Sequence, residues 1–135
     1  MYIMDLLDKS DTTNSDELNT LCSKLLGDSF KGVYSADNIP KLLNHGDCLI
    51  FNNQNSNQNG EHWLGLYNEC GKEYAYDTFA RDIKELNKHF KHKKWIIPKH
   101  RRTESIHGED CGQQVVAFLC TVRKYSIQDF FDTFR

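Results

Sequence analysis

Several features are missing from this sequence, and each absence narrows the field. Apolar runs such as Trp95-Ile96-Ile97 and Val115-Val116-Ala117-Phe118-Leu119 are only a few residues long. Crossing a bilayer takes about 20 residues, so no membrane association is expected. The opening residues, Met1-Tyr2-Ile3-Met4-Asp5, show no basic segment followed by an apolar stretch, so a signal peptide is not expected. No two cysteines have C-x-x-C spacing, and the one tight histidine pair, His89-x-x-His92, has no cysteine beside it; no metal site is expected. Charge of one sign is not in excess either. The net charge is −2 over 135 residues, which gives no strong overall attraction to nucleic acid. There is no internal repeat and no sign of a second domain, so residues 1–135 are read as one domain without a cofactor.

What is present suits a globular chain: 39% hydrophobic and 27% charged residues. A chain of this size can bury roughly two thirds of its unfolded surface. Five cysteines (Cys22, Cys48, Cys70, Cys111 and Cys120) without a secretory signal point to free thiols in a reducing intracellular compartment. Ser15 reads as an N-cap followed by Asp16 and Glu17. Leu18, Leu21, Cys22, Leu25 and Leu26 recur at helical spacing, and Gly27 closes the helix. Lys31 to Pro40 reads as irregular and extended. Asp47 to Asn52 reads as a buried strand, and Asn53 to Gly60 as a polar loop. His62 to Tyr67 and Glu73 to Thr78 are strands joined by a hairpin turn over Asn68 to Lys72. Asp82 to Phe90 is expected to be a helix and Lys94 to Ile97 a strand stopped by Pro98. Gly112 to Lys124 is helical with Cys111 at its start, and Ser126 caps a last helix. Helix, then strands, then helices define an α+β fold.

The chemistry centres on Gly108-Glu109-Asp110-Cys111-Gly112. A thiol at a helix N-terminus faces unpaired backbone N–H groups and the positive end of the dipole, both of which favour thiolate. The same N–H groups can hold an oxyanion, and Gly112 lets a substrate backbone come close. Cys120 falls inside the apolar helix and reads as core. Of six histidines, only His62 opens an aromatic strand, Glu61-His62-Trp63-Leu64-Gly65-Leu66-Tyr67; a strand end holds an imidazole firmly enough for general-base work. Asp77 ends the next strand, where a carboxylate can orient that imidazole. Singly, each has a bland reading: a cysteine before glycine as structural, a His-Trp pair as packing, a terminal aspartate as a cap. Together, in the order His62, Asp77, Cys111, they read as a catalytic triad with Cys111 as nucleophile.

These residues resemble the adenovirus-type (adenain-like) maturation proteases and, more distantly, the Ulp1-like SUMO proteases. Ser15-Asp16-Glu17-Leu18 through Leu26-Gly27 resembles the first helix of the adenovirus enzymes. Phe30-Lys31-Gly32-Val33-Tyr34 with Ile39-Pro40 is similar to the segment that follows it. Gly60-Glu61-His62-Trp63 is similar to the catalytic His-Trp, and Tyr74-Ala75-Tyr76-Asp77-Thr78-Phe79 to the strand bearing the acidic member. Asp110-Cys111-Gly112 matches the SUMO-protease form. The resemblance runs from about Ser15 to Val122. It implies a papain-like or adenain-like fold: a central mixed sheet flanked by helices, with the nucleophile at the N-terminus of a core helix. It also implies cleavage near small residues, often glycine, in a narrow cleft for which Trp63, Asn59 and Gly60 are candidate walls. Capsid precursors of a virus or virophage-like agent are then the expected substrates, in the virion and the infected host cell.

The sequence departs from the family in two respects. The family's oxyanion-hole glutamine, a few residues before the cysteine, is missing from Thr103-Glu104-Ser105-Ile106-His107-Gly108. Glu104, Ser105 or His107 falls nearest its place, alongside the N–H of Gly112. Losing one such donor typically costs on the order of 10²–10³ in rate. The chain is also shorter than its relatives, a minimal version of the fold. Residues 88–102 gather Lys88, Lys91, Lys93, Lys94, Lys99, Arg101 and Arg102, a solvated surface or a contact for nucleic acid. Viral DNA and a cysteine-linked peptide, which activate the adenovirus enzyme, are the activators the resemblance implies. A deubiquitinase or SUMO-type isopeptidase and a catalytically dead binding protein are the alternative readings.

Overall fold

The Asp47–Asn52 run becomes the most enclosed of the described strands, over Cys48–Asn52. In the computed structural model, which describes residues 15–55, 62–77, 82–97 and 111–124 (side chains of 111–113 excepted), every residue of β2 (Cys48–Asn52) is buried. Such a strand is covered on both faces, which is why it reads as continuously apolar. β1 (Phe30–Tyr34) pairs with it in parallel, Phe30 opposite Cys48 and Tyr34 opposite Phe51. β3 (Trp63–Glu69) pairs with its other side antiparallel, and β4 (Lys72–Tyr76) continues the antiparallel order. The result is a mixed four-stranded sheet in the order β1-β2-β3-β4, in an α+β molecule.

Side chains alternate across the sheet, and each face has its own core. Cys48, Ile50, Tyr67 and Tyr76 meet Leu18, Cys22 and Leu26 of helix α1 (Ser15–Leu26) and Val115, Val116, Phe118, Leu119 and Val122 of helix α2 (Cys111–Lys124). Leu49, Phe51, Leu64, Leu66 and Ala75 face the other way, onto Ala36, Ile39, Leu42, Ile83, Phe90 and Trp95. There Phe51, Phe90 and Trp95 form a triangle of rings 5.0–5.4 Å apart. Both described helices therefore lie on one face, and loops with short 3₁₀ turns cover the other.

Five local expectations meet a different outcome. Ser15 is already helical rather than an N-cap. The Asp82–Phe90 segment is not an α-helix but two 3₁₀ turns, Ile83–Glu85 and Lys88–Phe90. Asp82 accepts the Lys84 N–H at 3.2 Å and Asn87 accepts the His89 N–H at 3.0 Å. Short polar side chains that satisfy the backbone locally compete with a continuous helix in this way. Lys94 to Ile97 makes only a single bridge to β4, through Ala75 N–H to Ile96 O at 3.0 Å and Ile96 N–H to Glu73 O at 2.9 Å. Trp95 turns into the core while Ile96 stays exposed. Conversely, the Lys31–Pro40 segment, read as irregular, supplies most of β1. The hairpin turn is shorter than the 68–72 span suggested: Cys70 and Gly71, at φ +53° and +85°, form the whole connection. Two successive left-handed residues match the twist of the flanking strands. The helix expected after Ser126 lies outside the described residues.

Candidate active site

Antiparallel pairing puts the start of β3 and the end of β4 side by side. His62 directly precedes β3 and Asp77 directly follows β4, so both come to the same end of the sheet. Their side chains meet there: His62 Nε2 lies 2.5 Å from Asp77 Oδ1. The imidazole is 5% exposed as a residue and the aspartate 2%. A buried carboxylate requires a donor partner, and an ionised one can only accept. An ionised Asp77 takes the Nε2–H, and when the ring is neutral Nδ1 is then its acceptor nitrogen. The His62 backbone is held as well. Its N–H donates to Asn53 Oδ1 at 3.2 Å, and its carbonyl accepts the Asn53 N–H at 3.2 Å.

Helix α2 points its first turn toward this end of the sheet. Three contacts fix its direction. Gly65, in β3, faces Val115 and Phe118 so closely that a Cβ there would lie 3.0 Å from Val115 Cγ1 and 3.2 Å from Phe118 Cδ2. Phe118 stacks on Tyr76 at the end of β4, with ring centroids 4.3 Å apart and planes within 9°. Farther along, the Arg123 guanidinium donates to the Leu26 carbonyl, at the opposite end near Cys48 and Tyr67. The helix thus runs away from the His62–Asp77 end. Cys111 is its first residue, four residues before Val115 and so about 6 Å farther toward that end. The glycine at position 65 is what allows the helix to seat this closely on the sheet.

The other thiols lack the setting of a nucleophile. Burial pushes Cys22 well above the ordinary thiol range, helped by the neighbouring Cys120 and Cys48. Burial likewise pushes Cys48 up to about 12, against the pull of Arg123. Cys120, half-buried against the helical core, is also raised by burial. Cys70 is exposed at the hairpin tip, where its N–H donates to His45 Nδ1 at 3.0 Å.

Of the remaining candidates, Trp63 is half-buried and packs on the helical-face core at the first position of β3, opposite Asn52. Gly112 lies in the first turn of α2. Asn59, Gly60, Glu104, Ser105 and His107 fall outside the described residues, as do Lys99, Arg101 and Arg102 of the basic stretch. Lys88, Lys91 and Lys94 are exposed, whereas Lys93 donates to the Ile39 carbonyl at 3.3 Å. Lys41, Lys72, His92, Lys93 and Lys94 help line a cavity of about 530 Å³. It opens beside the hairpin turn, at the opposite end of the sheet from His62. Among the described residues there is no cluster able to hold a metal, and no helix is long and apolar enough to cross a membrane. Sequence reasoning missed Asn53, which it placed in a polar loop; the signal was an asparagine immediately after a buried strand, a residue type that readily bonds nearby backbone. Compared with protein-family models and with curated proteins, the chain matches none.

Proposed function

We propose that this chain is a cysteine endopeptidase of the adenain-like, papain-like type, with Cys111, His62 and Asp77 as its triad. The observation that carries the reading is the buried 2.5 Å contact between His62 and Asp77, at the end of the sheet toward which the first turn of the helix beginning with Cys111 points. In the reaction His62 Nδ1 takes the thiol proton and the thiolate attacks the scissile carbonyl carbon. A C–S bond forms, and the carbonyl electron pair moves to oxygen. Backbone N–H groups at the start of α2 stabilise that oxyanion. As the C–N bond breaks, the imidazolium returns its proton to the leaving amine. Water, deprotonated by His62, then cleaves the thioester and regenerates the thiol. Asp77 holds the ring's orientation and stabilises the imidazolium without itself taking the proton.

The substrates proposed are viral capsid or precursor proteins cut near small residues, glycine above all, during virion maturation. Incubation with candidate capsid precursors, followed by mass spectrometry of the products, tests this with Cys111→Ala as control. Defined cuts next to small residues that vanish in the variant are expected; identical products from both proteins would end the proposal. The Asp110-Cys111-Gly112 form favours a second reading, a ubiquitin- or SUMO-directed isopeptidase, which turnover of fluorogenic ubiquitin or SUMO conjugates would reveal. Residues 88–102 are proposed as a nucleic-acid contact. Stimulation by DNA that fades with salt is the expected signature.

A further inference from the structure

The contacts that hold His62 extend beyond Asp77 to a distant part of the chain. Strands β2 and β3 end at Asn52 and Trp63, and the Asn53–His62 pair lies one step past the last residue pair of the ladder. Ladder ends open most easily, yet an imidazole that must exchange a proton needs a seat good to about 0.5 Å. Here both peptide groups flanking the His62 Cα are tied to Asn53. Asn53 is tied in turn: its carbonyl accepts a proton from Asn87 Nδ2 at 3.0 Å, and the same Nδ2 donates its other proton to Asn55 Oδ1 at 3.0 Å. Asn87 Oδ1 is committed as well, to the His89 N–H at 3.0 Å. All three contacts are consistent with one orientation of the amide.

We infer that Asn87 is a positioning residue that seats His62 through Asn53, clamping the open end of the β2–β3 ladder from a segment distant in sequence. The bland role of Asn87, capping the Lys88–Phe90 turn, uses its oxygen. The clamp uses its two amide protons. Aspartate has the same shape and caps a turn equally well, but when ionised it has no proton to donate. The substitution Asn87→Asp therefore separates the two roles. The kinetic part of the inference rests on the proposed protease reading; the seating of His62 does not.

The test uses the full chain and compares wild type with Asn87→Asp, and with Asn55→Ala as a milder variant that removes one of the two acceptors and leaves the cap alone. Three quantities are measured: the ring ¹⁵N signals of His62, the melting temperature, and kcat and KM on a peptide that the wild type cleaves. In Asn87→Asp the His62 ring signals should shift toward a mixture of tautomers, and kcat should fall about tenfold or more, since small misplacements of a catalytic group are costly. KM should stay within about twofold and melting within a few degrees. Asn55→Ala should move the same signals less far, and it provides the reading if Asn87→Asp does not fold. His62 signals unchanged from wild type in a folded variant would overturn the inference. A wild type that cleaves no peptide, with His62 signals still moved by Asn87→Asp, would remove the protease reading and leave the clamp standing.

Discussion

At the scale of single residues, the pairing of His62 with Asp77 carries a kinetic expectation. Replacing Asp77 by asparagine keeps the shape but offers the ring either an amide or a carbonyl, and the carboxylate that stabilises imidazolium is gone. If the pair serves Cys111, Asp77→Asn should lower kcat by about 10²–10⁴-fold, the usual contribution of a positioned acid–base group, with little change in KM. Steady-state kinetics on a cleaved peptide checks this, and a variant as fast as wild type would remove Asp77 from the machinery. The cysteines give a second expectation that needs no substrate. Cys22 and Cys48 are buried, and they and Cys120 have raised thiol pKa values. Since the thiolate is the reactive form, iodoacetamide at neutral pH should spare these three in the folded protein. It should modify Cys70 slowly, and an activated Cys111 ahead of it. Peptide mapping after timed labelling reads the order. Labelling of Cys111 no faster than Cys70 would favour a catalytically dead binding protein.

At the scale of elements, the seating of α2 on β3 depends on the absence of a side chain at one position. Gly65→Ala would place a Cβ 3.0 Å from Val115 Cγ1 and 3.2 Å from Phe118 Cδ2. Relieving that overlap means moving the helix or twisting buried side chains, which costs about 1–3 kcal/mol. Melting should drop by several degrees. Because the same helix begins with Cys111, activity should fall by more than the folded fraction does. A variant with wild-type melting would show that the helix can shift freely. The same pairing shows what was readable in the amino-acid pattern and what was not. The β2 run and the spacing of Leu18, Cys22, Leu26, Val115, Phe118 and Val122 announce their elements because burial imposes a period. The Asp82–Phe90 segment did not announce itself, because its form is set by side-chain caps at Asp82 and Asn87 that leave no periodic trace. β1 was hidden for a related reason. It is an edge strand containing Lys31 and Gly32, and its pairing with β2 depends on a chain segment distant in sequence.

At the scale of the whole molecule, His62 and Asp77 were legible as a pair because strand ends in a hairpin must meet, whereas the direction of α2 follows only from contacts made in three dimensions. The core adds a dependence on pH. Folded, Cys48 keeps its proton up to about pH 12 instead of 9.0, and Cys22 and Cys120 are shifted the same way by burial. Above the unfolded thiol pKa the native chain holds more protons than the unfolded one, so stability falls as pH rises. The loss should begin near pH 9 and continue toward 12, at up to about 1.4 kcal/mol per pH unit for each thiol. Burial raises Tyr67 as well, which adds to the trend. Urea midpoints at a series of pH values from 7.5 to 11 measure it, and a flat series would contradict the burial of these groups.

The grouping of sulfurs between α1, β2 and α2 also bears on handling. Cys48 and Cys120 both push Cys22 up, and Cys120 pushes Cys48 up, so the three sulfurs lie near one another. While the sheet and helices stay closed, burial shields Cys22 and Cys48 from oxidants, and Cys120 is partly covered. Once the chain opens, neighbouring sulfurs can join, and a cross-link made in the open chain hinders return to the packed form. Preparations kept under air should therefore lose refolding yield before they lose any surface property, and added reductant should restore it.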